Sequence, residues 1–257
     1  MHGPLPDREA IRLTGADTIP LLQSLVTANV ERLALGETTH AALLTPQGKV
    51  LSAFFVWRTP EGALIDAAPG DRAALMGRLK LYKLRAAVEI EPDPRVAHVG
   101  EGGAEDARPD PRLPAMGARW MAEAKDGDAR AAYEARRVAL GVPEFARDYA
   151  ASEVFAMDAN LDALGAVDYK KGCFVGQEVA SRMYRKGEVR KRTWTVEAEG
   201  ALSPGAAVTA GDSKLGTVTS AHGPRGLALL RTDRVATAIE PPVADGVPVR
   251  LSPPPYL

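Results

Sequence analysis

What this chain of 257 residues lacks narrows its chemistry before any motif is read. It holds one cysteine, Cys173, so no disulfide can form within it. Its four histidines, His2, His40, His98 and His222, are scattered, and no Cys/His set with metal-ligand spacing can be assembled from sequence neighbours. The formal net charge of −1 supplies no global field to draw in nucleic acid or an anionic membrane, so any anion binding must come from a local cluster. No run approaches the ~18 apolar residues of a spanning helix, and the opening MHGPLPDREA has no apolar stretch after a basic start. The expectation is therefore a cytoplasmic protein with no membrane partner. G-x-x-x-x-G-K-[ST], H-E-x-x-H and G-x-S-x-G are absent, and GEGG at 100–103 does not complete a dinucleotide fingerprint. With no RNA-binding aromatic motif either, direct nucleic-acid readout is not expected.

What is present reads as a globular chain, 46% hydrophobic and 25% charged. Arg8 to Leu13 alternates like a strand. Asp17 can cap a helix that has Pro20 in its first turn and Leu21, Leu22, Leu25 and Val26 on one face. HAALLT and KVLSAFFVW, joined by Pro46-Gln47-Gly48, and then GALIDA form a β-meander. A helix carrying Leu75, Leu79 and Tyr82 follows, and AAVEIE returns as a strand before Pro92 and Pro94. Glu101 to Pro114, rich in Gly, Pro and charge, reads as a surface connection. Asp126 or Asp128 can cap a helix running to Leu140, stopped by Gly141 and Pro143. On it Tyr133, Arg137 and Leu140 share a face, so Arg137 is either satisfied by a nearby carboxylate or carbonyl or contacts a ligand. Beyond residue 188 short β-rich runs, TWTVEA, AAVTA, LGTVTSA, GLALLR and VPVRL, suggest a small barrel or sandwich.

The segment with most chemistry is KKGCFVGQEVASR at 170–182. Gly176 to Lys186 predicts a helix with Val179 and Met183 as its apolar stripe and Gly187 as its stop. Cys173 lies just before that helix, near Lys170 and Lys171, where the helix dipole and the ammonium groups favour thiolate; the alternative is an inert, buried packing thiol. Glu178 is favoured in a first turn and sits i, i+4 from Arg182, so helix stability alone can account for both. Gln177 has neither a capping nor a packing reason to be an amide, and an amide can both donate to and accept from a ligand. Arg182, Arg185, Lys186, Arg190, Lys191 and Arg192 fall within eleven residues. Arg190 and Arg192 alternate in phase with Trp194 and Val196, which places them at the rim of a pocket suited to carboxylates or phosphates, or else on a solvated basic face.

KKGCFVGQEVASR resembles the hallmark of the YgfZ family of folate-binding proteins, K-G-C-[YF]-x-G-Q-E followed by Arg, at Lys171, Gly172, Cys173, Phe174, Gly176, Gln177, Glu178 and Arg182. SLVTANVERL, LLTPQGKVLSAFFV, RLKLYKLRAAVEI and LDALGAVDYKK resemble the same family, which includes mitochondrial iron–sulfur assembly proteins and is related to the glycine-cleavage T-protein. The resemblance implies an α+β fold, a T-protein-like ring of α+β domains with a small C-terminal β-barrel. It divides the chain into 1–95, a folate-binding region; 96–188, carrying the KGCFVGQE motif; and 189–257, the barrel. It also implies tetrahydrofolate or a one-carbon derivative as cofactor and iron–sulfur proteins as clients, including those that modify tRNA. Cys173 then acts as the reactive thiol, with Lys171, Gln177, Glu178, Arg182, Arg137 and Asn29 as folate contacts. Asn29 stands where relatives often have Asp. The T-protein's Y-T-G-E-D-G segment is missing, with GARWMAEA in the comparable region, which weighs against aminomethyl transfer. Two other functions stay open: a tetrahydrofolate-dependent transferase or demethylase, and a non-catalytic interaction adaptor.

Overall fold

Period-two hydrophobic patterns at both ends of the chain condense into two antiparallel sheets. The computed structural model describes residues 2–102, 104–187 and 189–257; among them, seven strands form one sheet and six close into a barrel. The large sheet contains β1 (Gly3–Thr14), β2 (Thr38–Leu44), β3 (Val50–Thr59), β4 (Gly62–Asp66), β5 (Glu89–Gly100), β6 (Arg108–Pro109) and β7 (Ala118–Glu123), in the order β2-β3-β4-β1-β5-β7-β6. On one face Ile11, Leu13, Phe54, Val56 and Ile65 meet Leu21, Leu22 and Leu25 of α1 (Thr18–Leu25) and Leu75 and Leu79 of α2 (Arg72–Lys83). Each leucine buried there contributes roughly 1.5–3 kcal/mol before chain entropy is subtracted.

The alternate residues of the same strands face a different neighbour. Ala42, Leu44, Val50 and Ala53 are covered by Phe145, Tyr149, Val154, Leu161 and Phe174, from a stretch with no regular helix or strand. That stretch leads from α3 (Arg130–Ala139) to α4 (Gln177–Lys186). The barrel follows: β8 (Lys191–Ala198), β9 (Ala207–Ala210), β10 (Ser213–His222), β11 (Arg225–Arg231), a short helix α5 (Thr232–Thr237), β12 (Val243–Ala244) and β13 (Val247–Ser252), closed in the order β10-β11-β8-β13-β12-β9. Its interior holds Val196, Val208, Leu215, Val218 and Leu230.

The strand expected to stop before Pro92 and Pro94 instead runs through both to Gly100. From Glu89 to Asp93 it pairs with β1 alone, and β7 joins its other edge only at Arg95, so the missing proline N–H groups fall where the ladder is one-sided and its register shifts. Residue 95 thus lies inside β5, and strands from either side of it share one sheet. Residue 188 lies just before β8. Glu188, and Gly103 of GEGG, are outside the described residues.

A buried ion network occupies the second face of the sheet. Arg8 of β1 donates from Nε to Asp66 Oδ1 (2.6 Å) and from Nη1 to Glu144 Oε1 (2.7 Å); Arg119 of β7 donates to Asp66 Oδ2 (2.6 Å). Arg112 forks onto Asp110 at 3.0 and 2.7 Å, and Tyr133 accepts from Arg112 and Arg119 while donating to Glu144. The three guanidinium carbons lie 5.3, 4.8 and 4.1 Å from the centre of the Phe55 ring. Burial alone would drive Glu144 and Asp110 towards neutrality, but the surrounding arginines hold both well down, Asp110 at about 2.

Removing one member of such a network leaves its partners charged, buried and unmatched. Asp66→Ala removes the carboxylate that Arg8 and Arg119 share, leaving Arg8 with Glu144 alone and Arg119 with Asp110 at 3.6 Å, and urea unfolding is expected to show a loss of about 3–5 kcal/mol. A pH effect follows from His40, which packs against Phe55 at 4.9 Å and is pushed down to about 3, first by burial and then by Arg112. The unfolded chain takes up a proton near pH 6.5 and the folded chain resists doing so until about 3, so the stability present at high pH is lost as pH falls. From pH 8 to pH 5 this amounts to about 2 kcal/mol. His40→Gln should flatten the corresponding part of a pH series of urea melts, leaving the smaller slope that buried His98 adds in the same direction.

Candidate functional site

Lys171 anchors the motif segment from below. Its Nζ donates to the carbonyls of Val26 (2.6 Å) and Ala28 (2.7 Å) and lies 5.5 Å from the centre of the buried Phe174 ring. Burial lowers this lysine to about 8, with Asp168 and Glu31 opposing the shift. The 26–29 loop is joined to the motif at further points: Thr27 donates its hydroxyl to Ala166 O (2.6 Å), Asp168 N donates to Thr27 O (2.9 Å), and Asn29 Nδ2 donates to Asp168 Oδ2 (3.3 Å). Asn29 Oδ1 accepts from Gln23 (3.2 Å), so both of its amide atoms are engaged within the protein.

Glycine closes the segment from the other side. Gly176 is the N-cap of α4, with φ 79°, and a Cβ there would lie 2.5 Å from Thr45 O and 3.0 Å from Leu44 Cβ. Gly48, with φ 80°, faces Val179 in the same way, so the β2–β3 turn and the start of α4 touch almost backbone to backbone. Between these two anchors Cys173 is exposed, outside the hydrocarbon that packing alone would give it. Gln177 is half-buried, while Glu178 and Arg182 are exposed, and neither of these two joins the ion pairs formed among the described residues. α4 ends at Gly187, φ 67°, and Tyr184 stacks on Tyr169 with ring centres 4.0 Å apart.

Arg137 is not part of this constellation. It is completely buried, donating to Glu134, Asp148 (2.5 Å), Ser220 (2.6 Å) and Val142 O (3.3 Å), so no N–H is left for a ligand. The reading of Arg137 as a folate contact is corrected accordingly: its half-apolar helix face buries against carboxylates and the barrel. Arg192, expected at a pocket rim, faces inward and is neutralised by Asp162 at 2.5 and 2.8 Å. Arg190 does border a cavity, of about 420 Å³, at the C-terminal end of α4 with Lys186, Lys191 and Lys49. Sequence reasoning passed over Asp168, which organises the 26–29 contact, and Lys49; the available signals were an acid beside the motif's lysines and a lysine in a tight turn. It also passed over the ion network, whose signal was charge in otherwise apolar strands at Arg8, Asp66 and Arg119. Among the described residues no group of three or more His, Cys, Asp and Glu side chains gathers as a metal site.

Comparison with known proteins supports this architecture. Residues 190–257 match the family described as CAF17, C-terminal beta-barrel domain. The chain is similar to the iron-sulfur cluster assembly factor IBA57 homolog, mitochondrial, of Mycosarcoma maydis, 32% identical over 220 residues, or 73% of this chain and 55% of that one. It therefore spans about half the length of the fungal relatives it matches. The mouse and human proteins named iron-sulfur cluster assembly factor IBA57, mitochondrial, are 29% and 27% identical, with 90% and 96% of this chain and 77% and 82% of theirs aligned. Among solved structures, the glycine cleavage system aminomethyltransferase T from Bartonella henselae superposes with a TM-score of 0.79 at 15% identity, covering 100% of this chain and 86% of that one. The fold is thus α+β and T-protein-like, with a closed C-terminal β-barrel.

The relatives correct the expected location. They are named mitochondrial, which points to that compartment and away from the cytoplasm. Mitochondrial targeting segments are amphipathic and Arg-rich, so the lack of an apolar leader or spanning run does not distinguish the two compartments.

The paired glycines generate a graded prediction. Gly176→Ala forces a side chain into Thr45 O and should cost about 2–4 kcal/mol in urea unfolding. Gly172→Ala, where φ is 99° but an added Cβ meets nothing within 4 Å, should cost only the backbone strain of about 1 kcal/mol.

Proposed function

We propose that this protein assists the assembly or repair of iron–sulfur proteins, including enzymes that modify tRNA, and that it does so with a reduced folate held beside the thiol of Cys173. The observation that carries the reading is the motif KGCFVGQE folded as a braced turn with its one sulfur exposed, in a chain similar along most of its length to proteins named iron-sulfur cluster assembly factors. The motif also supports kinship with the YgfZ proteins, and the division into two α+β regions and a barrel is kept as part of this proposal.

The side chains present suit a folate. Lys171 spends two of its three N–H bonds on carbonyls, leaving one for a ligand. Gln177 offers an amide that can both donate and accept, and Arg182 offers a guanidinium for a carboxylate. Glu178, exposed in the first turn of α4, can accept from a pterin N–H. Asn29 serves the site by bracing Asp168. A bound tetrahydrofolate would supply a reduced pteridine able to carry one-carbon units; the chain's own part is to hold that ring against the motif turn and keep the sulfur accessible.

Two measurements test this. Calorimetric titration with tetrahydrofolate should show binding that Arg182→Ala weakens about tenfold and Lys171→Met weakens further, with thermal melts confirming that both variants fold. In cells lacking the protein, wild type should restore iron–sulfur enzyme activity and Cys173→Ala should not. Full rescue by Cys173→Ala would remove the thiol from the mechanism, and an absence of folate binding at millimolar ligand would leave the interaction-adaptor reading in its place.

A further inference from the structure

Two cavities adjoin beside the barrel, sharing Lys191 and Arg231 in their walls. The first, of about 420 Å³, lies at the C-terminal end of α4, where Lys186 and Arg190 border it and Phe155 and Met183 supply apolar wall. The second, of about 460 Å³, runs along β10 and β11, where Lys214 adds a further cation and Leu215 and Leu229 add apolar surface. The charge comes from separate stretches of chain that only the fold brings together, in a protein whose net charge is −1.

Several of these cations are held in place. Arg231 is fixed by Asp233 at 2.7 Å, Lys49 by the Glu153 carbonyl at 2.9 Å and Arg234 by the Lys214 carbonyl at 2.7 Å, whereas Lys186, Arg190, Lys191 and Lys214 stand exposed. The acids in the walls do little to balance them. Asp148 is committed to Arg137 and Thr219, Asp158 is buried, accepting the Phe155 N–H at 3.0 Å, and Glu153, exposed in the wall of the second cavity, accepts the Ala150 N–H at 2.8 Å and joins none of the ion pairs formed among the described residues. Apart from Arg231, these cations form no ion pair among the described residues; like charges gathered in this way repel one another, and an anion spanning both cavities would relieve that repulsion.

We propose that the two cavities form one groove for an extended oligoanion, a chain bearing three or more carboxylate or phosphate groups. The shared Lys191 and Arg231 bridge its middle, Lys186 and Arg190 hold one end, and Lys214 holds the other. The proposal rests on these side chains alone and not on folate binding, so its failure would leave the reading of Cys173 and its neighbours untouched.

The test is calorimetric titration of the whole protein, free of folate, with inorganic tripolyphosphate and separately with triglutamate. Binding that weakens with added salt is expected, together with a loss of about tenfold or more in the Lys186→Ala/Arg190→Ala/Lys191→Ala variant. Lys214→Ala should weaken the three-group probes while leaving the affinity for inorganic phosphate unchanged. The tighter of the two probes assigns the anionic group, and equal affinities assign both. A control variant, Lys80→Ala/Arg85→Ala on and after α2, should bind as wild type does. The groove is refuted if neither probe binds at millimolar concentration, if the control loses as much affinity as the groove variant, or if inorganic phosphate binds as tightly as tripolyphosphate.

Discussion

The rest of the molecule is arranged around a set of charges that cannot be left apart once buried. Arg8, Arg112 and Arg119 crowd the face of Phe55 and are matched by carboxylates: Arg8 and Arg119 by Asp66 of β4, Arg8 also by Glu144 after α3, and Arg112 by Asp110, two residues before it in the connection between β6 and β7. Any one of these groups alone in an apolar interior would cost several kcal/mol, so the arrangement is tolerable only when all are present together. A network of this kind contributes little net stability against a hydrocarbon core of the same volume. What it supplies is discrimination, because a register slip in β1 or β7 would leave a charge facing hydrocarbon.

The same network reaches from the sheet to the barrel. Glu144 N donates to Asp148, which takes Arg137 of α3 on one side and Thr219 of β10 on the other, while Arg137 also holds Ser220. The irregular stretch beginning here and ending at Gly176 is therefore tied at its start by ion pairs and at its end by the close approach of Gly176 to the β2–β3 turn. A loop that long without helix or strand would ordinarily lie at the surface. Here it fills the second face of the sheet with Phe145, Tyr149, Val154 and Phe174, and it delivers Cys173 to solvent at a braced position.

α4 then separates two kinds of chemistry. Its N-terminal end carries the thiol, the Gln177 amide and the anchored Lys171; its C-terminal end faces the cationic cavity. Ten residues of helix place these about 15 Å apart. α4 itself lies between the β2–β3 turn and the first barrel strand.

Local pattern was enough for elements whose residues satisfy their own neighbours. The helix from Gly176 to Gly187 was readable because both ends carry glycines in the left-handed region and one stripe is apolar, and the barrel strands because each run alternates and ends in turn residues. The exposed thiol-bearing turn was readable as a motif before its geometry was known. What sequence order could not show were partnerships across long separations: Arg8 with Glu144, Lys171 with the carbonyls of Val26 and Ala28, and Arg137 with Ser220. An arginine on a half-apolar face reads alike whether a ligand or a buried carboxylate completes it, and only the tertiary structure, by bringing that carboxylate within 2.5 Å, decided for Arg137. The passage of β5 through two prolines was settled in the same way, since whether a missing N–H matters depends on which edge of the strand has a neighbour.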